Sequence, residues 1–288
     1  PEGCSQIEYW TLVSERATTG LTAVGGTRVS VAGDLEGDGG LDLQDCGLDD
    51  GAANSTTRCL NDGTGAFSGS TSGLVQIQSC RQVLGDLDGD GDLDYLPMGF
   101  DGADPAAVYE GNGDGTLATP VTLPPEQYSG RLVLGDVNGD GDLDLLTTAA
   151  SPGTLTLLFT NDGSGTFASS TAGFAAVGNG SADFGDLDGD GDLDAVLTGQ
   201  DAGATNRTYI YKNGGSGFFS LSQSLTGVLF SDSSLGDVDG DGDLDLLVAG
   251  TDGTNGTANL YINDGSGSFS DSGVALTGVN AARGRLTD

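Results

Sequence analysis

The sequence predicts an all-β fold, a β-propeller of about six four-stranded blades, and three observations predict it. A ten-residue acidic stretch, GDLDGDGDLD at 85–94, recurs with small changes so that the chain holds five copies. The copies start their Asp runs at Asp34, Asp86, Asp136, Asp186 and Asp237, spaced 52, 50, 50 and 51 residues apart. Short β-type runs flank each copy, and nothing in a repeat carries the apolar period of a long helix. About four short strands in a repeat of roughly 50 residues is the pattern of propeller blades. A β-solenoid is the structural alternative, but its rungs are usually shorter than this period.

Each repeat has the same internal order. A short apolar run enters the acidic stretch, as in Arg131–Leu134 and from Val228 to Phe230 onward. A β-type run leaves it, as in Leu143–Thr148, Leu193–Thr198 and Leu244–Ala249. Another strand follows, at Leu155–Thr160, Thr208–Lys212 and Asn259–Ile262. A Gly-rich turn comes next, starting at Asn61, Asn161, Asn213 and Asn263, because Asn and Gly tolerate the positive φ of tight hairpins. The aromatic or Leu after each turn (Phe67, Leu117, Phe167, Phe219, Phe269) is expected to pack between neighbouring repeats.

The repeats run approximately over 28–79, 80–129, 130–179, 180–230 and 231–280 of one domain spanning 1–288. The strand that enters the acidic loop occurs a sixth time, at 283–288, and stops at Asp288. Residues 1–27 supply strands without a repeat of their own, Ile7–Val13 most clearly. Segments 1–27 and 281–288 are therefore expected to build a composite closing blade. Closure within one chain hides both sheet edges. Closure between chains would propagate into a filament or a ring.

Composition bounds the function. Nine basic residues against 43 acidic ones give a net charge of −34. No basic patch exists to neutralise phosphates, so nucleic acid and anionic membranes are disfavoured partners. No apolar run approaches the ~20 residues of a membrane span. Pro1, with no initiator Met or signal peptide, reads as the start of a processed mature chain or of its ordered part. Cys4, Cys46, Cys59 and Cys80 lack CxxC spacing and the chain has no His, which argues against zinc and for two disulfides in an oxidising compartment. Four Cys allow three pairings; Cys46–Cys59 across one hairpin with Cys4–Cys80 is the expected one. Asn54, Asn179, Asn206 and Asn255 head N-x-S/T sequons.

The acidic stretch reads as a cation loop. Counted from its first Asp, positions 1, 5 and 9 are Asp in every copy: Asp34, Asp38, Asp42; Asp86, Asp90, Asp94; Asp136, Asp140, Asp144; Asp186, Asp190, Asp194; Asp237, Asp241, Asp245. Position 3 is Glu36, Asp88, Asn138, Asp188 or Asp239, always an oxygen donor. Position 7 is Gly40, Asp92, Asp142, Asp192 or Asp243. Since Gly offers only its carbonyl, position 7 is expected to ligate through the main chain, its Asp side chains facing solvent. Two carboxylates about 4 Å apart repel by about 4 kcal/mol at an effective dielectric of 20, which a divalent ion reverses. So many oxygens suit Ca²⁺, about five ions in all. An EF-hand is excluded, because position 12 lacks the bidentate Glu, being Asp45, Pro97, Thr147, Leu197 or Val248.

The segments LGDVNGDGDLDLLTTA (134–149) and NDGSGTFA (161–168) resemble the FG-GAP/VCBS repeat, the blade of integrin-α-like propellers. The resemblance covers about residues 28–288 and implies a calcium-binding propeller, secreted or on a cell surface, in adhesion, carbohydrate binding or assembly. The chain departs from the family in having no GAP tripeptide and only Phe184-Gly185 as FG. It supplies about six blades where integrins have seven.

Catalysis is not expected. Without His the usual base and triad partner are missing, and the clustered carboxylates are taken up by the cation loops. Asp49, Asp50, Asp101 and Asp104 read as solvated turns. A Tyr–Arg site from Tyr128 and Arg131, or a polysaccharide-processing activity, ranks third. Tyr9, Trp10, Phe100 and Tyr128 are candidates for sugar stacking against a packing role. The leading reading is a non-enzymatic extracellular structural subunit that assembles with copies of itself. An adhesion or carbohydrate-recognition module for a glycan or surface protein is the alternative.

Overall fold

A computed structural model describes residues 28–48, 53–100, 106–123, 130–149 and 154–276. Every regular element among them is a strand. The first repeat forms an antiparallel sheet of β1 (Arg28–Gly33), β2 (Asp42–Leu48), β3 (Asn54–Asn61) and β4 (Phe67–Ser70), in chain order. The second contributes β5 (Gln78–Gly85), β6 (Asp94–Phe100), β7 (Ala107–Val108) and β8 (Val121–Thr122). The third sheet is β9 (Gly130–Gly135), β10 (Asp144–Ala149), β11 (Leu155–Asn161) and β12 (Phe167–Ser170). The fourth is β13 (Val177–Gly185), β14 (Asp194–Asp201), β15 (Asn206–Asn213) and β16 (Phe219–Thr226). The fifth is β17 (Leu229–Gly236), β18 (Asp245–Thr251), β19 (Gly256–Asn263) and β20 (Phe269–Asp271). The chain divides into two compact units, 1–129 with Gly163–Gly165, and 130–162 with 166–288.

In every repeat the acidic stretch joins the first two strands. Its neck is one cross-strand pair, Gly33↔Asp42, Gly85↔Asp94, Gly135↔Asp144, Gly185↔Asp194 or Gly236↔Asp245. The strand leaving the loop is buried on both faces (β2, β10 and β14 most fully), which is why β10 and β14 read as apolar and Thr runs rather than alternating ones, while β2 buries Gln44 and Asp45 as well.

In the C-terminal unit the sheets pack face to face through two cores. Leu146 and Leu158 of the third sheet meet Leu197, Tyr211 and Phe219 of the fourth. Val196 and Ile210 of the fourth meet Leu246, Val248 and Phe269 of the fifth. Phe219 and Phe269 thus lie between repeats, as expected, and each such ring contributes about 1.5–3 kcal/mol by burial. Phe174 meets Tyr211 edge to face and Phe219 at a tilt, with centroids 4.9 and 4.7 Å apart.

The second sheet is interrupted. Beyond β5–β6, the outer strands join through the mutual Tyr95–Tyr109 backbone bonds, both 2.9 Å. Two residues further, Pro97 stands where the next N–H toward β7 is needed, and proline has none.

The disulfide pairing differs from the sequence expectation. Cys46 is bonded to Cys80, linking β2 to β5, with Cα atoms 6.1 Å apart. Cys46 cannot reach Cys59, because Cys59 lies opposite Leu43 and Cys46 opposite Thr56. An odd offset places the two sulfurs on opposite faces of the sheet, and Cys59 packs with Leu43 while Cys46 packs with Ile77. Cys59 is also disulfide-bonded; Cys4 lies outside the described residues. So do both halves of the expected closing blade, 1–27 and 281–288, and Asp49, Asp50, Asp101, Asp104, Tyr9, Trp10 and Tyr128.

Candidate metal centre

The first Asp of each loop curls the chain around its own carboxylate. In four loops its two oxygens accept the N–H groups of positions 4 and 6. Gly89 and Gly91 donate to Asp86 at 2.8 and 3.0 Å, and Gly139 and Gly141 to Asp136 at 2.7 and 2.9 Å. Gly189 and Gly191 donate to Asp186 at 2.8 and 3.0 Å, and Gly240 and Gly242 to Asp237 at 2.7 and 3.0 Å. These bonds need left-handed backbone, φ 78° at Gly89 and 92° at Gly91, which fixes glycine there. The first loop winds differently: Asp38 and Gly39 donate to Asp34, at 3.1 and 2.8 Å.

Position 9 is buried and ties three chain segments together. The Asp94 carboxylate accepts from Leu87 at 2.6 Å and from Gly111 at 2.7 Å. Asp194 accepts from Leu187 at 3.1 Å and Asn213 at 2.8 Å, and Asp42, Asp144 and Asp245 repeat the pattern. Burial pushes the Asp94 and Asp194 carboxyls up to about 6, outweighing the two N–H bonds each accepts. Burial also raises Asp144, and it raises Glu36 and Asp239, which sit among other carboxylates.

The loops gather the predicted donors. Carboxylate oxygens of Asp86, Asp88 and Asp90 lie within 4.8 Å of one another, as do those of Asp186, Asp188 and Asp194, and of Asp237, Asp239 and Asp245. In the third loop Asn138 offers a neutral amide oxygen instead of a carboxylate. The Oδ1 atom of Asp188 is buried with no hydrogen-bond partner. An orphaned buried carboxylate oxygen inside an all-oxygen cluster fits a hard divalent cation. Three such groups among the described residues make a metal centre chemically reasonable.

The position-7 side chains do not face solvent as expected. Asp92, Asp192 and Asp243 are half-buried, and their carboxylates lie against Gly113, Gly215 and Gly265 of the following turn rather than facing solvent. A Cβ at any of those turn positions would collide with them.

That turn is the part the sequence reading undervalued. The Asn213 amide donates to Val137 O at 2.6 Å and Leu193 O at 3.1 Å, and Asn263 bonds Leu187 O at 2.8 Å and Leu244 O at 3.1 Å. Gly115 and Gly217 N–H groups reach Leu35 O and Val137 O, both at 3.0 Å. The second, fourth and fifth turns therefore dock on position 2 of the preceding loop. The signal was the Asn recurring 17–19 residues after position 9.

A sequence profile of the FG-GAP-like repeat matches residues 86–147, 186–248 and 237–286, together more than half of the chain. The chain belongs to the FG-GAP-like repeat family. The first loop, with Glu36, Gly40 and its different winding, lies outside the matched FG-GAP repeats. Among solved structures, a lectin from Agrocybe aegerita, described for specific recognition of non-reducing terminal N-acetylglucosamine, is similar in fold. Its TM-score is 0.59 at 20% identity, over 90% of this chain and 68% of that one. No curated protein matches. Among the described residues no helix is long and apolar enough to cross a membrane.

Proposed function

We propose that the chain is a calcium-binding β-propeller acting outside the cell as a non-enzymatic structural subunit that assembles with its own copies. The observation that carries the calcium reading is the loop itself. Carboxylates are gathered to within 4.8 Å in three repeats, on a frame of backbone N–H bonds. Asp186, Asp188, Asp190 and Asp194 would hold an ion in the fourth loop, with the position-7 carbonyl, and their counterparts would do so elsewhere. Bound calcium would cancel the repulsion among the loop carboxylates and stiffen the joint between the first two strands of each blade. Extracellular calcium modules commonly bind at about 10⁻⁴–10⁻³ M, an affinity range that supports a compartment where calcium is millimolar. The Cys46–Cys80 bond supports the same compartment.

Equilibrium dialysis in millimolar calcium is expected to find about five ions per chain. Negative-stain electron microscopy is expected to show ordered assemblies in calcium that disperse in EGTA. Zero uptake sinks the calcium reading; discrete single particles in calcium sink self-assembly.

A second reading is glycan recognition, favoured by the fold likeness to the lectin. Saturable binding by the monomer on a glycan array, with terminal N-acetylglucosamine included, would move that reading ahead.

A further inference from the structure

The residue immediately before the docking turn differs from repeat to repeat, and it stands beside the loop. In the fourth repeat it is Lys212, the only lysine of the chain. Its ammonium is 2.9 Å from Asp188 Oδ2 and donates to the carbonyl of Ser266 in the next turn. Asp188 therefore gives one oxygen to Lys212 and keeps Oδ1, buried and unpartnered. In the second repeat the same register position is Glu110, since Gly111 bonds Asp94 as Asn213 bonds Asp194. Glu110 Oε1 and Asp88 Cβ each stand 3.8 Å from where a Cβ on Gly165 would be, so this exposed carboxylate and the position-3 ligand flank the same glycine. Leu60, Thr160 and Ile262 occupy the position in the other repeats and bring no charge.

We propose that this pre-turn residue grades the ion sites: Lys212 makes the fourth the weakest and Glu110 makes the second the strongest. The proposal rests on the calcium reading above. A fixed cation on a ligand oxygen repels a divalent ion and withdraws one of its donors; an added carboxylate does the reverse. Both groups are partly exposed, so screening limits each effect to about tenfold in affinity.

The test is a calcium titration by isothermal calorimetry of the whole chain, its Lys212→Gln and Lys212→Arg variants, and Glu110→Gln. Lys212→Gln should bind the same number of ions and lose the weakest class, gaining about tenfold there, while Lys212→Arg titrates like the parent. Glu110→Gln should lose the tightest class. Reductive ¹³C-methylation adds a reading that needs no substitution, because only one lysine signal exists. That signal should move at calcium concentrations above those that fill most sites. A signal that moves with the bulk or never moves, or a Lys212→Gln isotherm superimposable on the parent, overturns the proposal while calcium uptake stands. No uptake by the parent overturns the calcium reading and the proposal with it.

Discussion

Asp94 and Asp194 serve two roles with opposite demands. Each is a candidate ligand, which needs the charge, and each is a buried staple, which burial would rather see neutral. The staple can be tested apart from the ion. Asp194→Asn keeps one acceptor oxygen but turns an NH₂ toward the Leu187 or Asn213 N–H, leaving a buried donor unpaired. In EGTA it should lose about 1–3 kcal/mol by urea denaturation; unchanged stability would mean the staple contributes nothing. The carboxyl shifts also set a pH dependence. Asp94 and Asp194 stand at about 6 in the fold against an ordinary 3.8. Between those values the folded chain holds more protons than the unfolded one, so their contribution falls as pH rises from about 4 to 6. Thermal melts in EGTA should show this decline. In millimolar calcium, which binds the ionised form, the trend should reverse over the same window.

At the scale of elements, first strands carry irregularities that side chains alone do not explain. β13 slips register between Gly178 and Ser181, with Asn179 in left-handed backbone. Gly180 crosses so close to β14 that a Cβ would overlap the Thr198 carbonyl oxygen and stand 2.7 Å from Gly199 Cα. Gly180→Ala should therefore cost about 3 kcal/mol or more, read as a lower denaturation midpoint with unchanged slope. The Asn179 sequon sits exposed on this bulge, and Asn255 is exposed in the β18–β19 turn, whereas Asn54 and Asn206 are half-buried in strands. The Cys46–Cys80 bond staples β2 to β5 across 34 residues. By loop-closure entropy, the double Ser variant should lose about 4 kcal/mol by chemical denaturation. Arg131 is held by Asp232 at 3.2 Å, an ion pair joining β9 to β17 in the C-terminal unit.

Across the whole molecule, net charge works against stability. A chain at −34 opposes its own compaction, most of all where carboxylates are gathered into loops. On the proposed reading, calcium at ten times its dissociation constant would add about 1.4 kcal/mol per independent site, roughly 7 for five. That is comparable with the entire stability of a domain, about 5–15 kcal/mol. EGTA should thus lower the melting temperature sharply in differential scanning calorimetry. Raising NaCl from about 0.01 to 0.15 M should recover part of the loss by screening. Insensitivity to both would mean that the loops are not under electrostatic load.

The acidic loops, their register, the strand order within a repeat and the place of Phe219 and Phe269 between repeats were legible in the sequence, whereas Phe67 packs on Leu43 and Cys59 of its own sheet. Each loop is a contiguous ten-residue device whose bonds run mostly to atoms within five residues. The spacing near 50 then announced the repeat, and Asn-Gly chemistry announced the turns. Only the tertiary structure decided the pairing of Cys46 with Cys80, the docking of Asn213 on a carbonyl 76 residues away, the turn of the position-7 carboxylates inward, and the attachment of Lys212 to Asp188. Local hydrogen bonding follows from residue type and spacing. Contacts over such separations depend on which faces of two sheets meet, and that is settled by packing rather than by any one stretch of chain.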